Sequence, residues 1–241
     1  VAYGDNRRLK ASDTFDSAIF GTWENGGGDW GTMQWASAGG AGIVEPTAVD
    51  IDSAIRRIPE VFDNNQYSKM TVHSQALGGG NGSIGVTVRM AAGTTETCYV
   101  GYALLSTTPT DEYRIEEVTN FAFAMLANLV DPGGEIPLGT GETITTEVEN
   151  TTIRLGSNSG GSDVQKVTTT DGTIIGGTPG INCFRSASGV AQITSWEGGN
   201  IVVTAEGVRT QPPNTDHIMA LMSDEGEDDG RFNSLDVRNW A

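Results

Sequence analysis

Short runs of β-branched and aromatic residues, each broken by Gly, Asn, Asp or Ser, recur along most of the chain and predict strands. They fall at 67–76, 83–91, 97–105, 112–118, 121–129, 142–148, 151–155, 164–170, 180–185, 190–196 and 201–205. The clearest alternation is Ile84, Val86 and Val88 against Gly85, Thr87 and Arg89, which sends one set into a core and the other outward. Two-residue turns at Glu149-Asn150 and Asp171-Gly172 predict antiparallel neighbours. No interval carries the apolar period of a long helix. At most, Asp50 to Arg57 forms a turn or two before Pro59, with a loop equally compatible. The fold class expected is all-β, an antiparallel two-sheet sandwich, and no internal repeat is present. The parse is an arm at 1–11, a sandwich at 12–205 and an acidic arm at 206–241 that includes Asp224-Glu225-Gly226-Glu227-Asp228-Asp229.

Composition narrows the partners. The 241 residues hold 31 Asp and Glu against 14 Lys and Arg, a formal charge of −17, which repels phosphate backbones and anionic lipid. Nucleic acid and membranes are therefore not expected as partners. The richest apolar stretch, 121–130, is about half of what a spanning helix needs. The first residues do not read as a secretion signal. Cys98 and Cys183 each sit among apolar or aromatic neighbours and read as buried thiols, with one disulfide as the alternative. The 33 glycines suit many tight turns, and strings such as Gly78-Gly79-Gly80 lack the Lys-Ser/Thr of a phosphate loop.

Several phrases, in order, resemble the concanavalin A-like lectin/glucanase (laminin-G-like) domains of extracellular bacterial and phage proteins. Ser12-Asp13-Thr14-Phe15-Asp16 with Gly21-Thr22-Trp23 resembles their first strand, and Asp63-Asn64-Asn65-Gln66-Tyr67-Ser68 the start of a later one. Ile84 to Arg89 resembles the strand after that. Thr151 to Leu155, Gly177-Thr178-Pro179-Gly180-Ile181 and Ile193 to Gly199 resemble the closing elements. The resemblance spans roughly 12–204 and implies a jelly-roll sandwich.

The hydrolases of that superfamily carry Glu-x-Asp-x-x-Glu on one strand, supplying a proton donor and a nucleophile. Neither Glu112, Glu116 and Glu117 nor Glu147 and Glu149 reproduce it, so no enzymatic activity is expected. No cofactor is expected either. Calcium is the one ion the resemblance brings in, with Asp50, Asp52, Asp63, Asn64, Asp131 and the 224–229 run as unplaced oxygen donors. His73 reads as a structural histidine in a strand, and His217 as a solvent-facing one. The segment from Trp23 to Trp35 concentrates three of the five tryptophans around a glycine turn. Sugars stack on aromatics flanked by amides and acids, so Trp30, Trp35, Asp29 and Gln34 are the candidate glycan-binding residues, with core packing of the tryptophans as the competing reading. The function expected is a surface-displayed structural, decoration or adhesion protein of a virion or cell exterior, meeting neighbouring subunits through its arms and binding a polysaccharide. A free lectin module and a polysaccharide-degrading lyase or hydrolase are the alternatives.

Overall fold

The computed structural model describes residues 6–16, 21–76, 80–93, 97–106, 111–130, 136, 138–158 and 163–202. One compact unit spans Val1–Val202. The acidic arm, His217 and Asp131 lie outside the described residues, as do positions 1–5 of the N-terminal arm.

Every strand pair between named elements is antiparallel, and the strands form two sheets. The first sheet contains β1 (Arg7–Asp13), β3 (Met33–Ala38), β4 (Ala41–Pro46), β6 (Gln66–Ala76), β11 (Thr143–Glu149), β12 (Thr152–Ser157), β13 (Val164–Thr170) and β15 (Val190–Ile201). Its order is β13-β12-β11-β6-β15-β4-β3, with β1 paired to β15. The second sheet contains β2 (Trp23–Asn25), β5 (Ser53–Arg57), β7 (Gly82–Met90), β8 (Cys98–Leu105), β9 (Glu112–Thr119), β10 (Ala122–Val130) and β14 (Thr178–Arg185). Its order is β10-β9-β8-β7-β14-β5-β2. The all-β sandwich expected from the alternation is the fold observed.

The inward rows make one core. Ile84, Val86 and Val88 of β7 are fully buried and meet Val72, Ile144, Ile153, Leu155 and Ile193 of the other sheet in one cluster. Aromatics join the layers at one end. Trp23 of β2 stands edge-on to Trp196 of β15 at 4.8 Å, and Phe15 tilts onto Trp23 at 5.9 Å. The Trp196 indole N–H donates to Ser68 Oγ at 2.8 Å, and that hydroxyl donates to the Gly180 carbonyl at 2.7 Å, so a polar chain also crosses between the sheets. Both cysteines are free thiols in apolar surroundings, where burial pushes their pKa up.

Four local expectations are corrected. Ser53 to Arg57 is neither helix nor loop. It is β5, held between Cys183–Gly180 of β14 and Asn25–Trp23 of β2, and these ladder bonds outweigh its weak helical spacing. Asp171-Gly172 does not close a hairpin, since β13 and β14 lie in different sheets. The hairpin between β11 and β12 turns through Asn150-Thr151, one residue later than expected, with Asn150 at φ 55°. Residues 7–11 are not a free arm, because β1 pairs with the C-terminal half of β15.

That pairing is reinforced by charge. The Arg7 guanidinium bonds Glu147 at 2.5 Å, lies 3.6 Å from Asp163 and stands 5.4 Å above the Tyr67 ring. Both Arg7 and Glu147 are nearly buried, so removing the cation leaves an unpaired carboxylate in a poorly hydrated place. Arg7→Met is expected to cost about 2 kcal/mol and to free the first strand. The check is limited proteolysis, in which cleavage near residue 12 should become faster while the rest of the sandwich stays resistant.

Candidate functional site

Strand β7 is buried along its whole length on both faces. The inner face belongs to the core, so something must also cover the outer face of the seven-stranded sheet. Part of the cover is a second apolar cluster of Trp30, Ala54, Met90, Cys98, Val100, Tyr102 and Val118. Two distant pieces of chain build it. The β9–β10 hairpin turns through Asn120 and Phe121, both at positive φ (50° and 58°) as a two-residue primed turn requires. An aromatic in that region is strained by about 1–2 kcal/mol, offset here by ring contacts. Phe121 stands edge-on to Trp30 at 5.2 Å and to Phe123 at 5.4 Å, and Trp30 meets Phe123 at 5.6 Å. The loop carrying Trp30 is pressed down so closely that a Cβ on Gly26 would lie 2.7 Å from the Trp30 ring, and one on Gly31 2.5 Å from Ser53 Oγ.

Beside this cluster runs a polar row. The register aligns Asn182 of β14, Gly85 of β7, Tyr102 of β8, Arg114 of β9 and Asn128 of β10. Paired residues of an antiparallel ladder share a face, so these groups stand in line across the sheet. Gly85 leaves room for the Tyr102 side chain, whose Cβ would be 2.3 Å from a Cβ at that position. Exposure rises along the row, from Asn182 and Tyr102, which are buried, through half-buried Arg114 to exposed Asn128. Arg114 Nε donates to Glu112 at 2.9 Å and Asn128 Nδ2 donates to the same carboxylate at 3.0 Å. These two bonds, Arg114 first, hold the Glu112 carboxyl below its usual range. Arg114 also lies 3.8 Å from Glu116, a member of the next outward row with Val100 and Thr87.

Two carboxyls at this face are displaced upward. Burial, and next the charge of Glu116, push Asp52 up to about 6, while the Asn182 amide bonded to it pulls the other way. Burial likewise raises Glu116, opposed by the Tyr102 hydroxyl and by Arg114. Burial is the first cause of both shifts, so each carboxyl holds its proton to higher pH than it would in water. Close by, the Ser53 hydroxyl and the Trp30 indole N–H are buried and have no hydrogen-bond partner among the described residues. Glu116 was considered in the sequence as a strand acid and Asp52 as a calcium donor. Their convergence was missed, because one precedes β5 and the other lies on β9.

The residues singled out for sugar stacking are scattered. Trp30 is 5 % exposed and its ring is packed by two phenylalanines, so it is corrected from a stacking platform to a core residue. Trp35 lies on β3 of the other sheet, opposite Val44, on the core-facing side of an edge strand. It keeps 36 % exposure, and its indole N–H donates to the Phe15 carbonyl at 2.5 Å. Gln34 donates to Glu45 at 3.2 Å, and Asp29 is exposed on the loop beside Trp30. Among the described residues no three His, Cys, Asp or Glu converge to hold a metal ion. Of the calcium donors named above, Asp63 is bonded to Asn200 and Asn64 gives its carbonyl to Arg89. No described helix is long and apolar enough to cross a membrane.

No protein-family profile and no curated protein matches this sequence. Solved structures do match in shape. A legume lectin-like domain from Entamoeba histolytica superposes with a TM-score of 0.53 at 10% identity, covering 75% of this chain and 91% of that one. A glycoside hydrolase family 16 endo-glucanase from Bacteroides ovatus gives 0.53 at 7% identity, with 78% and 99% covered. The kappa-carrageenase from Pseudoalteromonas carrageenovora gives 0.53 at 8% identity, with 84% and 98% covered. The chain has the concanavalin A-like lectin/glucanase fold, a jelly-roll sandwich. The expectation that it is not an enzyme is corrected by the same comparison. Hydrolases share the architecture as closely as a lectin does, so the missing one-strand motif does not exclude catalysis.

Proposed function

We propose that this is a carbohydrate-directed protein that engages a glycan along the outer face of the seven-stranded sheet. The observation that carries the reading is the exposed end of the in-line row, where Arg114, Asn128 and Glu112 offer guanidinium, amide and carboxylate groups at one sheet face. A sugar presents alternating hydroxyl donors and acceptors, and such a row meets them with fixed partners. The exposed end, Asn128, Arg114 and Glu112 beside the 57 % exposed Met125, receives the ligand. An exterior setting, on a cell or a virion, belongs to the proposal. It is supported by the acid excess, which disfavours nucleic acid and anionic lipid as partners.

The test is a glycan array followed by calorimetry on the best ligand. Arg114→Ala and Asn128→Ala are each expected to weaken binding by about ten-fold or more, the loss of one or two charge-assisted or amide hydrogen bonds. Their circular dichroism should match the parent. Undiminished affinity in both removes this face from consideration, and a loss confined to Trp35→Ala moves the site to the β3 edge.

A hydrolytic reading is favoured by the Asp52 and Glu116 pair, with carboxyls raised by burial at one face. Turnover of laminarin, alginate or agar that disappears in Glu116→Gln while binding persists supports it. The absence of turnover on a glycan that binds tightly counts against it.

A further inference from the structure

One outward row crosses every strand of the seven-stranded sheet, from Glu24 and Arg56 at one end to Glu116 and Met125 at the other. Arg114 stands in the neighbouring row and Glu112 in the row beyond it. Asp52 interacts with Glu116, and Asp29 is exposed on the loop that covers this face. Glu24, Asp29, Asp52, Glu112 and Glu116 are thus set against Arg56 and Arg114, five acids against two cations. Even with the Asp52 and Glu116 carboxyls protonated, three acids remain for the two cations. Neither cation is uncommitted. Arg56 bonds Glu24, while Arg114 donates to Glu112 at 2.9 Å and lies 3.8 Å from Glu116. Lysine, whose ammonium is a mobile point charge able to follow a sulfate or carboxylate, stands elsewhere. All three lysines, Lys10, Lys69 and Lys166, belong to strands of the eight-stranded sheet.

We infer that this face selects uncharged polysaccharides and rejects sulfated and uronic ones, an inference that rests on the glycan-directed reading of the same face. A shared fold does not fix the ligand, so the choice falls to these side chains. An anionic group that approaches Arg114 must displace Glu112 or sit beside its carboxylate, and like charges in a place partly shielded from water repel. A neutral sugar makes no such demand. Each of its hydroxyls both donates and accepts, so it can take a bond from the remaining Arg114 N–H groups and give one to a Glu112 oxygen without breaking the ion pair. The Asn128 amide donates to the same carboxylate at 3.0 Å, which fixes the array before a ligand arrives. At longer range the formal charge of −17 acts in the same direction, slowing the approach of a polyanion.

Calorimetry of the full 241-residue chain tests this with laminarin and agarose oligosaccharides as neutral probes and alginate and carrageenan oligosaccharides as anionic ones. At low salt a neutral probe should bind at least about ten-fold more tightly than either anionic one, and the gap should narrow as salt is raised. Glu112→Gln keeps an acceptor for Arg114 and Asn128 but removes a charge, so the ratio of anionic to neutral affinity should rise at least about five-fold. Asp29→Asn, on the exposed loop, should move the same ratio the same way by about two-fold, and it carries the test should the first variant misfold. An anionic probe that binds best, and loses its affinity in Arg114→Ala, overturns the inference while leaving the glycan-directed reading intact. So does a ratio that neither variant changes. No binding to any of the four probes overturns it as well, and if a glycan array is also blank the glycan-directed reading falls with it.

Discussion

Replacing Arg89 by Met is expected to destabilise the sandwich by about 4 kcal/mol, a fall in melting temperature on the order of 8–16 °C for a domain of this size. Arg89 is 2 % exposed and sits at the end of β7 with φ 53°. Its guanidinium donates to three carbonyls from separate loops: Asn64 at 2.9 Å, Ile174 at 2.7 Å and Asn150 at 2.7 Å. Its own backbone N–H donates to Gln66 Oε1 at 3.0 Å, and the Gln66 amide reaches the Asp63 and Gly177 carbonyls. One side chain thereby ties the turn between β11 and β12, the start of β6 and the approach to β14. Each carbonyl left unpaired in a buried place costs on the order of 1–3 kcal/mol. Arg89→Lys should lose nearly as much, since one ammonium cannot replace a planar fork that reaches three acceptors. Arg89→Gly should be about 1 kcal/mol less damaging than Arg89→Ala, because glycine tolerates the positive φ. Thermal and urea unfolding of the four variants check this, and a lysine variant as stable as the parent would refute the role given to the fork.

Asp52→Asn is expected to act in the opposite direction, stabilising the protein by about 3 kcal/mol at pH 7.5. The carboxyl rises from 3.8 unfolded to about 6 folded, chiefly through burial and then through Glu116. Between those values the native state binds more protons than the unfolded chain. Stability from this group therefore falls as pH climbs through that window, and the full penalty remains above it. The amide keeps an acceptor for Asn182 and carries no charge, so it escapes the penalty. The gain should shrink toward zero near pH 4, where the native carboxyl is already protonated. Melting curves of both proteins from pH 4 to 8 decide the matter. A difference that does not grow with pH would mean that Asp52 is not held in the environment described.

Alternation placed Ile84, Val86 and Val88 in the core, and all three are fully buried. It sent Gly85, Thr87 and Arg89 to the opposite face. Thr87 points there yet is buried, so outward did not mean solvent-facing, whereas Arg89, at φ 53°, turns its guanidinium back between the sheets to carbonyls at the start of β6 and in the β11–β12 turn. The period-two pattern reports which way a side chain points, while the cover comes from the Trp30 loop and the Phe121 hairpin, far away in the chain. For the same reason Trp30 looked like a surface platform, since nothing near it in sequence announces Phe121 and Phe123. The strands at 33–38, 41–46 and 53–57 are each short and lack a clear run of β-branched or aromatic residues, so their pairing rather than their propensity makes them strands.

By itself, the order of residues determined the all-β class, the two-layer architecture, the apolar core and the acid excess, because each depends on local alternation or on totals. Only the tertiary structure decided which acids meet, which tryptophans are covered and which arginines are already paired. Asp52 and Glu116 come together through five neighbouring strands, β5-β14-β7-β8-β9, and no spacing within one segment encodes that approach. Side-chain direction is a property of one strand, whereas burial, proton affinity and ion pairing are properties of what the rest of the chain lays against it.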